Sequence, residues 1–258
     1  MSEGSEAQRS QGWLLEAVIG YGNFIFRRRN FVFPIVMIGL MAGFAPVIAY
    51  DEAGADHGLD WVGYLICAVG QAFRFVVVGL EYIKRGGLNK RIYAATLITG
   101  GLFSASRNPL YLGNIIILIG LMVLHNSAWV YGLGGGFFLF TYWALVLAEE
   151  RYLRGQFGAD YDAYCAETPR WLPKLSALPE AFRGMRFNWR RAISKEYSSC
   201  VAWVVTALLI ETYEVARVEG VTNYWADFGG IGIAMVLAIS ALTFIHWLKK
   251  HSTVLRDH

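Results

Sequence analysis

Apolar runs of membrane length constrain this chain more than any other feature. Six stretches are predominantly apolar, from about Phe31 to Tyr50, Leu59 to Leu80, Leu110 to Leu124, Ala128 to Ala148, Ser198 to Ala216 and Trp225 to Trp247. A bilayer offers no water to backbone groups, so such runs fold as helices that satisfy their own N–H and C=O. About 20 residues make one crossing. The expected fold is therefore all-α, a polytopic integral membrane protein with about six transmembrane helices. The third and fourth runs form a helical hairpin turned by His125-Asn126-Ser127. Composition agrees, with 55% hydrophobic and only 17% charged residues, against about 25% charged in a typical soluble domain. Residues 13–26 are apolar but short and interrupted, which predicts an interfacial amphipathic helix. The polar start, Met1–Gln11, lacks the apolar core of a signal peptide.

Charge then orients the runs. The loop after the first run carries Asp51, Glu52, Asp56 and Asp60 with no Lys or Arg. Lys84, Arg85, Lys90, Arg91 and Arg107 follow the second run; nine cations from Arg151 to Lys195 follow the fourth; Lys249, Lys250 and Arg256 close the chain. With six crossings all of these share a side with Arg27-Arg28-Arg29. The positive-inside rule makes that side cytoplasmic, in an inner or plasma membrane, with both termini there. Arg183–Lys195 interleaves cations with aromatics. Between two apolar runs this reads as a helix on anionic headgroups, not a nucleic-acid surface. Cys67, Cys165 and Cys200 lie far apart and read as small apolar side chains, and the five histidines show no metal-ligand spacing. The glycine run Gly132–Gly136 lacks the strand and Lys-Ser/Thr of a phosphate loop, so packing against the third run is its expected role.

The stretch with the most chemical content is Ser106-Arg107-Asn108-Pro109-Leu110-Tyr111-Leu112-Gly113. Pro109 suits the first turn of a helix, where its missing N–H has no intrahelical partner to lose. Gly100-Gly101 before it lets backbone approach a ligand, and the helix start after it offers free N–H groups and a positive dipole end. Such a junction can hold an anionic or polar group at the membrane surface. Further on come Glu149-Glu150, Leu153, Phe157-Gly158, Tyr161, Tyr164 and Pro169-Arg170-Trp171-Leu172-Pro173.

The combined pattern, TxGxxxxxRNPxYxG followed by EExxLxxxFGxxYxxYxxxxPRxxP, resembles the isoprenylcysteine carboxyl methyltransferase and phospholipid methyltransferase superfamily over roughly residues 70–175. These are integral-membrane enzymes that use S-adenosylmethionine and release S-adenosylhomocysteine. The resemblance implies that Thr96, Leu97, Ile98, Phe103, Arg107, Asn108, Pro109, Tyr111, Gly113, Glu149 and Glu150 contact the cofactor. Glu149 would accept from its α-amino group. Arg74, Asn108 and Glu150 are the expected catalytic residues, and no metal is expected. Arg74, inside the second run with Gln71 on the same face, would meet the cofactor carboxylate or an anionic lipid head, or snorkel to the interface. Asn108 replaces the histidine of most relatives. It cannot titrate near neutrality, which leaves it a positioning role. Phe103 replaces a common tyrosine. Leu145 stands where prenylcysteine enzymes carry an arginine, which argues against a prenylcysteine carboxylate as acceptor.

Three segments follow: 1–30, a cytoplasmic segment with the interfacial helix; 31–175, the methyltransferase core with cofactor motifs at 95–113 and 149–173; and 176–258, a basic interfacial segment with two extra spans. The expected activity is methyl transfer from S-adenosylmethionine to a lipophilic or lipid-linked acceptor, a lipid amine or carboxylate, in a chain able to form homo-oligomers. The rivals are an NADPH-dependent reductase akin to sterol reductases and a non-enzymatic membrane scaffold or transporter. The Glu-Glu pair and the lack of any 2′-phosphate motif count against the first. The lack of an inverted repeat counts against a transporter.

Overall fold

The computed structural model describes residues 3–46, 53–80, 92–183, 186–219 and 224–251, and its regular elements there are all helical. Helix α1 runs Glu3–Gly43, α2 Ala53–Leu80, α3 Pro109–His125, α4 Gly135–Phe157, α5 Ala159–Glu167, α6 Leu178–Phe182, α7 Trp189–Glu214 and α8 Tyr224–His251. Four segments are long and apolar enough to cross a membrane: Gly58–Leu80, Val130–Phe157, Trp189–Arg217 and Phe228–His251. Pro109–His125 is apolar but shorter, about 25 Å at 1.5 Å per residue. Length and composition thus mark four of the six expected spans. Lys84, Arg85, Lys90 and Arg91, with Asp51, Glu52 and Arg256, lie outside the described residues.

The N-terminal region differs from expectation. One continuous helix, α1, replaces the short interfacial helix and separate first span. Arg27–Arg29 do not break it, because arginine is a good helix former and its stem and guanidinium can lie on apolar surface. Arg28 sits over the Phe24 ring at 4.9 Å and Arg29 over Phe26 at 4.5 Å.

Helices α2 and α3 form a tight antiparallel pair. A Cβ on Gly120 would lie 2.5 Å from Cys67 Sγ and 2.7 Å from the Gly63 oxygen; one on Gly70 would lie 2.9 Å from the Ile117 nitrogen. Gly113 meets Arg74 Cγ at 2.5 Å in the same construction. This is the close approach that small residues permit between membrane helices. Helix α1 lies antiparallel on α4. A side chain on Gly22 would overlap the Ala144 carbonyl oxygen, Tyr21 and Thr141 share a 3.0 Å hydrogen bond, and Phe33 meets Phe138 edge-on.

The expected hairpin is therefore looser than its sequence implies. Asn126 does turn it, in the left-handed conformation at φ 47°, as a short polar residue can. But α3 packs chiefly on α2, and α4 on α1. A turn of π-helix, Val130–Gly134, opens the fourth span. Of the glycine run only Gly134 has close neighbours, Leu40 and Met122; a Cβ on Gly132, Gly135 or Gly136 meets nothing within 4 Å. Packing against the third helix accounts for Gly134, through Met122, but not for Gly132, Gly135 or Gly136.

Helix α7 crosses α2, and α8 packs chiefly on α7, leaving Ile233, Val236, Leu237 and Phe244 exposed for lipid. The basic stretch Arg183–Lys195 is not a separate surface helix: α7 begins within it, at Trp189. Arg191 donates from Nε and Nη2 to the Val78 and Gly79 oxygens, both at 2.8 Å, which satisfies carbonyls at the end of α2. Asn188 caps α7, accepting from the Arg191 N–H at 2.9 Å. The ends of α2, α4 and α8 and the starts of α3 and α7 consequently gather at one end of the bundle.

Candidate active site

Both sequence motifs lie at that end, and the chain straps one over the other. Pro109 occupies the first turn of α3, as its geometry predicts. Just before it, the backbone of 103–108 is held by the end of α5 and the segment that follows it. Arg107 N–H donates to the Pro169 oxygen at 2.9 Å and Lys174 N–H to the Ala105 oxygen at 2.8 Å. Ser106 Oγ donates to the Trp171 oxygen at 2.7 Å, Tyr164 OH to the Phe103 oxygen at 2.6 Å, and Asn108 Nδ2 to the Arg170 oxygen at 3.0 Å. Asn108 thus uses its amide to hold the strap. Phe103 takes part only through its carbonyl.

Beneath the strap lies a charge cluster. Glu150, 5% exposed, accepts from Arg170 Nε and Nη2 at 2.8 Å each and pairs with Arg107 Nη1 at 3.2 Å. The fork-on-carboxylate geometry of Arg170 is the strong form of this interaction. Arg107 also donates to Cys165 Sγ at 2.7 Å, so that cysteine is more than an apolar filler. Burial works against the charge on Arg107, but Glu150, Cys165 and Tyr161 together outweigh it and leave its pKa above the ordinary value. Neither Arg151 nor Arg154 is Glu150's partner. Arg151 pairs with Glu16 and Arg154 with Asp162, on the surface.

Glu149, one residue earlier, points elsewhere, since consecutive helical residues diverge by about 100°. It accepts from Tyr111 OH at 2.5 Å. The Tyr111 oxygen in turn accepts from Arg29 Nη1 at 3.3 Å, and its ring packs on Tyr142 with centroids 5.4 Å apart. A cation on α1, a phenol on α3 and a carboxylate on α4 thus meet in one relay. Thr96, Leu97 and Ile98 lie in an irregular, half-exposed segment before the Gly101–Ser104 turn.

Arg74 does not join either group. Its Nε donates to Glu196 Oε2 at 2.8 Å and its Nη2 to Oε1 at 3.1 Å. Nη1 reaches Asn114 Oδ1 and, at 3.4 Å, the Leu110 oxygen. Gln71 Nε2 also donates to Glu196, at 3.2 Å. Arg74 and Glu196 are both essentially unexposed. Arg74 meets an internal carboxylate and braces the first turns of α3.

Sequence reasoning missed Glu196, Arg170 and Arg29. An arginine inside a span demands a partner, and that signal pointed to a carboxylate such as Glu196. Nothing in the linear spacing tied Arg29 to Tyr111. Leu145, by contrast, is where its apolar character implies, fully buried in the core.

Comparison with known proteins fits this layout. Residues 60–160 match the family model described as phospholipid methyltransferase. They hold α3, α4 and α2 from Asp60 onward, and thus the Asn108–Gly113 and Glu149–Glu150 motifs. Over these residues the chain is similar to the phospholipid methyltransferase family. The chain is also 25% identical, over 77% of its length and 88% of the other's, to the cobalt-zinc-cadmium resistance protein CzcN of Cupriavidus metallidurans. It is 25% identical to the nickel-cobalt-cadmium resistance protein NccN of Alcaligenes xylosoxydans xylosoxydans, over 60% of this chain and 68% of that one. No solved structure matches. Among the described residues no group of three or more His, Cys, Asp or Glu could hold a metal ion. The family match and the four helices long and apolar enough to cross a membrane support a multi-pass membrane protein and an enzyme of the methyltransferase class.

Proposed function

We propose that this protein transfers a methyl group from S-adenosylmethionine to a lipophilic acceptor within the membrane, with the site on the cytoplasmic side. The observation that carries the reading is the Arg29–Tyr111–Glu149 relay, which sits beside the strapped motif loop of a phospholipid methyltransferase core. The cofactor's amino-acid end bears an ammonium and a carboxylate, and the relay offers a carboxylate and a guanidinium held apart by one phenol oxygen. The donor set therefore fits the group.

When bound, the cofactor supplies an electrophilic methyl on a sulfonium. The chain's own task is to orient it, keep water out and set the acceptor in line at about 3–3.5 Å. Glu149 holds the ammonium, Tyr111 fixes the Glu149 carboxylate by donating to it, and the 164–174 strap closes the loop against water. Asn108 maintains the strap. Glu150 and Arg74, committed to Arg107, Arg170 and Glu196, maintain architecture and move no proton.

An acceptor would reach the site laterally from the bilayer. A lipid amine suits the site better than a carboxylate, because Leu145 is buried apolar core and Arg74 is neutralised by Glu196. The names of CzcN and NccN suggest a setting, growth in toxic divalent metal, in which loss of the activity would show.

Calorimetric titration of S-adenosylhomocysteine into detergent-purified protein tests the reading. The parent should bind saturably, and Glu149→Ala should weaken binding by about 1.5–3 kcal/mol, the scale of a charged hydrogen bond. A folded, monodisperse parent that does not bind would rule the reading out and make NADPH the next ligand to titrate.

A further inference from the structure

The residues that surround the candidate site include four arginines, and three of them are committed to carboxylates. Arg74 lies on Glu196, and Arg107 and Arg170 lie on Glu150. Arg29 differs. Its Nη1 donates to the Tyr111 hydroxyl at 3.3 Å, and it reaches Glu149 only through that oxygen, which donates onward at 2.5 Å. A guanidinium carries five N–H donors in a planar fork suited to a carboxylate, and one hydrogen bond to a phenol leaves most of that capacity for a ligand.

Arg29 is also held on a rigid platform. Its guanidinium lies 4.5 Å from the centre of the Phe26 ring. Helix α1 is fixed against α4 by backbone contact at Gly22 and the Tyr21–Thr141 hydrogen bond. This helix lies outside the family-matched residues 60–160, so the cation is one that the matched core does not contain.

We propose that Arg29 is the carboxylate-binding residue of the site, taking the amino-acid carboxylate of S-adenosylmethionine while Glu149 takes the ammonium. This rests on the methyltransferase reading above. Tyr111 separates the two charges, so that the ion pair does not close on itself and each half stays available to one half of a zwitterion. Helix α1 thereby becomes part of the binding site in addition to its role in packing.

The test titrates two ligands, S-adenosylhomocysteine and its decarboxylated analogue, into the parent, Arg29→Gln and Arg29→Lys. The parent should prefer the intact ligand. Arg29→Gln should weaken it by about 10- to 100-fold and the decarboxylated analogue by less than about threefold, and Arg29→Lys should recover part of the loss. An equal loss for both ligands would overturn the proposal and leave Arg29 a brace for Tyr111. So would an intact ligand that binds Arg29→Gln as well as it binds the parent. Should Arg29→Gln not fold, a parent that binds both ligands equally overturns the proposal on its own. If the parent binds neither, the methyltransferase reading fails with it; binding by the parent with indifference to Arg29 sinks only this assignment.

Discussion

Glu149 and Glu150 are neighbours in sequence with the same side chain, and the fold uses them for opposite purposes. Glu150 faces the strap and is enclosed by Arg107 and Arg170, a guanidinium fork on its two oxygens. Glu149 faces α1 and α3 and is given one phenol, with a cation a further bond away. Glu196 belongs with Glu150: fully buried and matched by Arg74 and Gln71. These three carboxylates thus divide into two matched by cations of the protein and one that meets a phenol. Side-chain type does not separate the two kinds; the number of directly matched cations does, and Glu149 is also the least buried.

The division is broken most forcefully at Glu196. Removing one member of a fully buried ion pair leaves an uncompensated charge, typically at a cost of about 3–5 kcal/mol. Glu196→Ala should lower the thermal unfolding midpoint in detergent accordingly, whereas replacing both partners, Arg74→Met with Glu196→Leu, should restore most of it. A double variant no better than the single one would show that the pair does more than balance its own charge.

Glu150 comes next. Its loss strands Arg107, which is mostly buried, and Arg170, which is 37% exposed and can regain water. Glu150→Ala should therefore destabilise by about 3 kcal/mol, the lower end of that range. It should also loosen the 164–174 strap, visible as faster amide exchange there. Glu149→Ala should do the reverse. Its unfolding midpoint should move by no more than about 1 kcal/mol, the scale of one hydrogen bond, while affinity for S-adenosylhomocysteine falls. If Glu149→Ala unfolds the protein as Glu150→Ala does, the contrast between the two residues disappears.

Much of this architecture is legible in the sequence, and the unreadable part has a physical reason. Pro109 marks a helix start and Asn126 a turn because their local backbone preferences decide those positions. The two motifs meet because each lies where an apolar run ends, and alternating spans bring such ends together. That Glu149 and Glu150 diverge follows from helix geometry; what each one faces does not. Glu196 was hidden because it stands just before the apolar run at Ser198 and reads as a loop residue. Arg27–Arg29 looked like the edge of a span because charge usually marks one. The guanidinium groups of Arg28 and Arg29 lie over aromatic rings instead, and the helix continues and carries Arg29 to Tyr111. The glycine run misled in the other direction, since glycine permits close packing without compelling it. Pairings between distant helices depend on crossing geometry, which spacing along one chain does not encode.

The smallest expected effect gives the comparison its lower bound. Arg151 and Glu16 approach within 2.5 Å, as close as any ion pair described above. Distance alone would rank it with the others. But the two side chains are 51% and 62% exposed, so water already solvates both charges, salt screens them, and holding two long side chains in one arrangement costs entropy. Arg151→Ala should therefore shift stability by at most about 0.5 kcal/mol, leave ligand affinity unchanged and lose even that small effect in high salt. A loss of 2 kcal/mol or more would mean that this pair anchors α1 to α4. In that case, proximity of charge would be what matters here, and solvent access would not explain why Glu150 and Glu196 hold the fold.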